Sequence, residues 1–317
     1  MEFESIYAVF LKQYIEFKRN IGYDYKFVSN FKTFDRFILK NELTVIGLTK
    51  DISNKWAKKR KNESDTTRYK RINDIRNFSI YLNKLGYESF IPEQIKFKKT
   101  TFTPYIFSKE EIGRFFEACD NLNFHKKSNT RYVMPVIFRM IYGCGLRVSE
   151  AAGLKTEDVN LSEKFIVIRD SKNDRDRVLP LSNSLTDICL IYREKCLSKN
   201  LTTNYFFSQR DGNRYVADTV YRWFRKILWE ANISHGGKGK GPRVHDFRHT
   251  FSVHSLVKMS EAGLDLYYSL PILSKYLGHQ SLEATDKYVR LTSDMYPELI
   301  KEVNNFCSYI FPEVKLP

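Results

Sequence analysis

The sequence predicts a mainly α-helical chain with one small antiparallel β-sheet, divided into two domains. Three observations carry this. Apolar residues recur at helical spacing in nearly every long segment. One stretch, residues 164–182, alternates with period two instead. A basic, proline-punctuated stretch with no periodicity, "PEQIKFKKTTFTPYIF", separates an N-terminal group of helices from the rest. The 317 residues exceed one ordinary domain and suit two. Hydrophobic content of 42% and 15% aromatic residues suffice for packed cores, which argues against disorder.

Taken in order, residues 1–95 read as a helical domain. "IYAVFLKQYIEFKRNIG" spaces its apolar residues for a helix and ends in Asn-Ile-Gly, a stop signal. "VSNFKTFDRFILKNEL" repeats the pattern, and "TKDISNKWAKKRKNES" continues it with a dense basic face. "DTTRYKRINDIRNFSIYLNKLGY" is a longer amphipathic helix whose apolar positions include Tyr69, Ile72, Ile75, Phe78, Ile80 and Leu82. Residues 96–106 read as a linker. "SKEEI" then restarts a helix with a capping serine and early acidic residues. "TRYVMPVIFRMIYGCG", "SLTDICLIYREKCLSK" and "DTVYRWFRKILWEANI" are helical. "KFIVIRDSKNDRDRVLPLS" reads as two strands around a charged turn. The second domain spans 107–298, followed by a C-terminal helix over 299–317 with Leu299, Ile300, Val303 and Phe306 on one face.

Charge narrows the partner. A formal net charge of +15 and a pI near 9.4 point to a polyanion. Between Lys55 and Arg76 nine Lys or Arg face three acidic residues. A solvated helix face explains such a run as readily as phosphate binding does. If it binds DNA, Lys58, Lys59, Arg60, Arg68, Lys70 and Arg71 are the contacts. The N-terminus lacks the pattern of a secretory signal, and no apolar run reaches the roughly 20 residues that span a bilayer. The expectation is therefore a cytoplasmic protein with no membrane partner. Five scattered cysteines (119, 144, 189, 196, 307) form no CxxC pair, so neither a disulfide framework nor a zinc knuckle is indicated.

Several short motifs could carry chemistry. In "YGCGLRVSEAAG", glycines let the backbone approach a ligand closely, and Arg147 at a helix start could bind a phosphate bidentately. An Arg147–Glu150 surface pair is the plainer reading of that spacing. The Gly-Cys-Gly fits neither a dinucleotide fingerprint nor a P-loop. Lys172 sits in the charged turn between the two strands, where a flexible ammonium could protonate a leaving oxygen. "HDFRHTFSVH" places His245 and Arg248 on one helix face. His245, His249 and His254 could alternatively ligate a metal, but no HExxH is present and the spacing fits no metal-site pattern. "LSKYLGHQSLEATDKYVRLT" adds His279 after a glycine and Tyr288 nine residues later.

Singly these signals are weak. The ordered set Arg147, Lys172, His245-x-x-Arg248, Leu277-Gly278-His279 and Tyr288 resembles the tyrosine recombinase, or phage integrase, family over about residues 105–295. "GLRVSE" and "HDFRHTF…LGH…Y" are its most specific parts, and "RDSKNDRDRVLPL" is similar to the family's lysine-bearing hairpin. Ser171 and Asn173 stand where glycines often flank that lysine.

The resemblance implies a two-domain clamp around DNA, with a helical core-binding domain and an α+β catalytic domain. It implies Tyr288 as the nucleophile that forms a 3′-phosphotyrosyl link. Arg147 and Arg248 would hold the non-bridging oxygens, His279 would donate a further hydrogen bond, and Lys172 would protonate the 5′-oxygen. His245 would position the site or assist proton transfer, and Glu150 would support Arg147. No metal or cofactor is then needed. The cationic "HGGKGKGPR" would meet phosphates through Lys238, Lys240 and Arg243. Family members act as homo-tetramers on specific recombination sites, some with an accessory or sister recombinase. The C-terminal helix would dock on a neighbouring subunit, or pack on its own domain. No arm-binding domain precedes the first helices, which suggests action at short inverted repeats. Integration or excision of a mobile element is the leading role. Chromosome-dimer resolution, a type IB topoisomerase-like activity and a non-catalytic DNA-binding relative are the alternatives.

Overall fold

The computed structural model describes residues 3–23, 28–96, 103–123, 128–169, 176–197, 203–237, 241–279, and 285, 288 and 291. It contains two compact units, Met1–Phe102 and Thr103–Pro317.

The first unit is helical: α1 (Ala8–Asn20), α2 (Ser29–Lys40), α3 (Lys50–Ala57) and α4 (Asp65–Lys84). Side-chain caps start two of these helices. Thr49 accepts from the Ile52 N–H at 3.3 Å, and Ser64 from the Thr67 N–H at 3.1 Å. On α2 the buried Phe31, Phe34 and Ile38 share one face. They meet Tyr7, Tyr14, Trp56 and Phe78 in an aromatic core. Phe34 lies edge-on to Trp56 at 5.2 Å, a geometry that adds about 0.5–1.5 kcal/mol to burial alone.

One helix is shorter than the sequence suggests. α3 stops at Ala57, and residues 58–64 turn back towards α4. The cause lies on α4. Arg71 reaches back and binds the carbonyl oxygens of Trp56 and Lys58 and the Glu63 carboxylate. These bonds satisfy carbonyls at the helix end that a continuing helix would have used itself.

The second unit opens at residue 103, within the 96–106 stretch. The Phe107 N–H donates to Thr250 Oγ1 at 3.1 Å, and its ring lies 4.9 Å from that of Phe247. Helices α5 (Lys109–Asp120) and α6 (Thr130–Gly143) follow, then the short α7 (Val148–Ala152). Ser108 and Glu111 form the capping box foreseen for "SKEEI".

The sheet has three antiparallel strands in the order β1 (Val159–Asn160), β2 (Phe165–Ile168), β3 (Arg177–Pro180). Only β2 and β3 were legible from alternation, because β1 is two residues long. Ile166 faces Leu179 and Ile168 faces Arg177 across the β2–β3 ladder. Then come α8 (Asn183–Tyr192), α9 (Ala217–Glu230), α10 (Val244–Glu261) and α11 (Leu266–Leu277). Phe107, Phe115, Phe138, Phe224 and Phe247 lie in the main core, which locks α5, α6, α9 and the first turn of α10 together. A satellite cluster joins α10, α11 and Tyr288.

Candidate active site

The site begins at the glycine turn after α6. Gly145 adopts φ +60°, and a Cβ there would come within 2.6 Å of Phe251 Cδ1 and 3.0 Å of Leu277 Cδ2. Both the backbone conformation and the space demand glycine. The turn delivers Arg147 to the start of α7, where its N–H donates to Glu150 Oε2 at 2.9 Å and its Nη1 to Glu150 Oε1 at 2.6 Å.

Glu150 is not a surface residue: its side chain is 5% exposed. A second arginine explains how a carboxylate is tolerated there. Arg177 donates through Nη1 to Oε1 at 3.1 Å and through Nη2 to Oε2 at 2.7 Å. Burial alone would push the Glu150 carboxyl up. The bidentate contact and charge of Arg177, then the bonds from Arg147, outweigh it and hold the group below the usual carboxylate range. Arg177 faces inward because strand alternation puts it on the same side as the buried Leu179. Its Nη1 also lies 3.3 Å from where a Cβ on Gly278 would sit, and Gly278 has φ +67°. Arg177 thus joins the acidic support of Arg147 to the turn that presents His279.

The helix α10 supplies the other wall. His245, Arg248, His249 and Ser252 occupy one face at spacings of three and four. Arg248 is 1% exposed, and its Nη1 and Nη2 donate to Gly145 O and Leu277 O, each at 2.6 Å. Burial, then the charge of Arg147, pulls its pKa down to about 10, so it stays cationic at neutral pH. A guanidinium carries more N–H donors than these two carbonyls use, which leaves capacity for phosphate oxygens. His279 pairs through Nδ1 with Thr285 Oγ1 at 2.8 Å.

Tyr288 is 1% exposed among these groups. Its Oη lies 2.9 Å from His249 Nδ1, and its ring stacks on that of His279 at 6.2 Å. Burial raises the phenol above its ordinary value. A hydrogen bond with Ser252 and the charges of Arg248 and Arg147 act the other way but do not overcome it. The phenol is therefore neutral at pH 7.

Arg147, Glu150, Arg248, His279 and Tyr288 thus gather in one place. His245 is exposed at the start of α10, with its ring 4.7 Å from that of His249. Lys172, Lys238, Lys240 and the 299–317 helix lie outside the described residues. Arg243 is exposed, and its N–H caps α10 by donating to Asp246 Oδ2 at 2.7 Å.

Of the basic residues on α3–α4, Lys58, Lys59, Arg60 and Lys70 are exposed and Arg68 is half-buried. Lys59 pairs with Asp65, Arg60 lies over the Trp56 ring, and Arg68 Nε donates to Ala57 O. Arg71 departs from the expectation. It is 1% exposed, with its guanidinium turned into the α3–α4 loop, so it cannot contact phosphates. Among the described residues no His, Cys, Asp and Glu cluster could hold a metal.

Two residues of the site were missed by sequence reasoning. Arg177 could have been found from alternation, as an arginine in step with Leu179. His249 was considered only as a metal ligand, although its place four residues after His245 puts it on the same face.

The geometry agrees with what the chain is similar to. Residues 106–295 match the model of the phage integrase family. A tyrosine recombinase of Pseudothermotoga lettingae is 28% identical over 275 residues, covering 84% of this chain and 86% of the relative. The tyrosine recombinase XerA of Pyrococcus horikoshii is 30% identical over 201 residues, 63% of this chain and 61% of XerA. Among solved structures, the Tn1549 transposon integrase in complex with a circular intermediate DNA superposes with a TM-score of 0.62 at 16% identity, covering 90% of this chain and 94% of the integrase. The chain belongs to the phage integrase family and is a site-specific recombinase of the tyrosine type. Among the described residues no helix is long and apolar enough to cross a membrane.

Proposed function

We propose that this recombinase cuts and rejoins double-stranded DNA by attack of Tyr288 Oη on a backbone phosphodiester. The attack forms a 3′-phosphotyrosyl link and releases a 5′-hydroxyl, and the reverse reaction joins a partner strand. The observation that carries this is the convergence of a buried tyrosine with His279, whose ring stacks on it, and with the charges of Arg248 and Arg147.

Arg147 and Arg248 bind the non-bridging oxygens and offset the charge that accumulates in the transition state. Glu150, held by Arg177, fixes Arg147 in place. His279 donates a further hydrogen bond, and the exposed His245 borders the phosphate. Lys172 protonates the leaving 5′-oxygen. The arginines supply the electrophilic stabilisation a metal would otherwise give, so no cofactor takes part. The exposed Lys58, Lys59, Arg60 and Lys70, with Arg68, Lys238, Lys240 and Arg243, bind phosphates away from the cut.

A homo-tetramer on two specific recombination sites is the working assembly, in the cytoplasm. Integration or excision of a mobile element is the role best supported, through the likeness to a transposon integrase. Chromosome-dimer resolution is the second reading, because a relative named XerA is 30% identical.

Covalent capture tests the chemistry. Nicked duplexes made from the DNA flanking the gene, mixed with protein without magnesium or ATP, are expected to give an SDS-resistant adduct. Tyr288→Phe is expected to abolish it while leaving DNA affinity nearly intact. An adduct with Tyr288→Phe removes Tyr288 as the nucleophile.

A further inference from the structure

The neutral, buried Tyr288 poses a problem for its own chemistry. A phenol near neutral pH must lose its proton as it attacks, and burial makes that loss harder. The positive charges of Arg248 and Arg147 ease the loss but accept no proton. Some group within hydrogen-bond reach of Oη must do so.

We propose that His249 is that group: its Nδ1 accepts the Tyr288 proton during cleavage and returns it during rejoining. The inference rests on Tyr288 being the nucleophile.

Three features favour His249. First, Nδ1 and Oη are already 2.9 Å apart, within the range a general base needs. Second, both partners are withdrawn from solvent, with His249 5% and Tyr288 1% exposed, so bulk water is poorly placed to take the proton. Third, His249 follows Arg248 directly on α10. The proton acceptor and the guanidinium that opposes the phenol's proton therefore ride on one helix, fixed to the Gly145 and Leu277 carbonyls. His245 stands differently. It is exposed at the first turn of α10, where a helix N-terminus favours anions, and this suits a phosphate better than a phenol.

The step balances. As the Oη–P bond forms, the phenolic proton passes to His249 Nδ1. The P–O5′ bond breaks, its electron pair leaves with the 5′-oxygen, and that oxygen takes a proton from Lys172. In rejoining, the 5′-hydroxyl attacks phosphorus and returns its proton to Lys172, the P–Oη bond breaks, and the phenolate recovers its proton from His249. No oxidant, reductant or water is consumed.

Two measurements on the full chain test this. The first needs no DNA: nitrogen NMR of histidine-labelled protein, with His249 assigned through His249→Gln. The expected result is a proton-free, hydrogen-bond-accepting Nδ1 whose signal moves in Tyr288→Phe. A proton resident on Nδ1 overturns the proposal, because such a nitrogen donates to Oη instead.

The second is covalent capture on the flanking-DNA duplexes, with normal phosphate or with sulfur in place of the bridging 5′-oxygen. A thiolate leaves without a proton, so this DNA relieves Lys172→Ala but not a defect at the tyrosine. His249→Ala and His249→Gln, checked for a wild-type melting curve, are expected to lose about 10²–10³-fold in rate on both DNAs, within the range of general-base effects. A near-wild-type rate for His249→Gln means that the residue only positions the phenol, and overturns the proposal. Failure of the Tyr288 reading looks different: Tyr288→Phe then still forms the adduct.

Discussion

Glu150→Gln is the most exacting perturbation of the site, because it keeps shape while removing the charge and turning one acceptor oxygen into a donor. The Glu150 carboxylate accepts bonds from Arg147 N and Nη1 at 2.9 and 2.6 Å, and from Arg177 Nη1 and Nη2 at 3.1 and 2.7 Å. A glutamine offers one acceptor oxygen and turns an NH₂ group towards the other donors. Each oxygen accepts one bond from Arg147 and one from Arg177, so whichever is replaced, both residues then face a donor in a buried place. Removing one partner of a buried ion pair costs about 3–5 kcal/mol. Because glutamine keeps one oxygen, a cost of about 3 kcal/mol is expected. For a unit of this size each kcal/mol moves Tm by about 2–4 °C, so a fall of roughly 6–12 °C follows.

Calorimetric melts of both proteins check this. Since Glu150 is held below the usual carboxylate range, its stabilisation is complete above the unfolded value of about 4.3. It is lost as pH falls from there through the folded value. The gap between the proteins should be full at pH 7 and shrink only in acid. A gap under about 1 °C at pH 7, or one that widens as pH falls, refutes the reasoning. Combining Glu150→Gln with Arg177→Met adds an internal check. The two share one interaction, so their effects should fall short of additivity by about 0.5–3 kcal/mol.

Other predictions concern the first unit and the glycine turn. Arg71→Met should destabilise the first unit by about 3 kcal/mol, measured by urea melts, because Glu63 and two carbonyls lose their partner. Lys70→Ala should leave that melt unchanged and instead reduce the slope of log affinity against log salt by about 0.9 in DNA titrations. Gly145→Ala should cost about 1–3 kcal/mol in a thermal melt, since the φ of +60° and the 2.6 Å approach to Phe251 penalise a methyl together. It should also slow covalent capture through the displaced Gly145 carbonyl. A variant with wild-type melting and capture would show that the turn tolerates a side chain.

Much of this site was legible because its residues sit in short motifs whose spacing matters. Arg147 and Glu150 lie one helical turn apart, as do His245 and Arg248, and glycines mark the turns. What escaped did so for identifiable reasons. Arg71 looked like a member of a basic face, yet it is in step with Ile75, Phe78 and Leu82, the buried face of α4. Composition counted its charge, whereas periodicity would have placed it inside. Arg177 stands in a charged run of sequence, although alternation sets it in step with the buried Leu179. Its burial depends on Glu150, 27 residues away, and no local pattern reports that pairing. β1 has two residues, too few to alternate, and takes its form from pairing with β2.

The placement of Arg248 explains why the motifs belong together as well as what each contributes. A catalytic arginine could be held by carboxylates alone, but each paired charge would weaken its pull on a phosphate. Here Arg248 is anchored by neutral carbonyl oxygens of Gly145 and Leu277, which fix its direction and leave its charge uncompensated. Arg147 is the contrasting case. It is anchored by Glu150, and Arg177 shares that carboxylate, so the excess positive charge of the cluster is preserved. The counting favours anion binding: three guanidiniums surround one carboxylate, and burial has already drawn Arg248 down to about 10. A phosphodiester arriving among them relieves that repulsion. The same bonds tie the glycine turn to the Leu277–Gly278–His279 turn through a side chain of α10. In the proposed mechanism, loss of Arg248 would remove a phosphate ligand and untie these two turns at once, so its effect on rate would combine electrostatics with loss of the turn anchor.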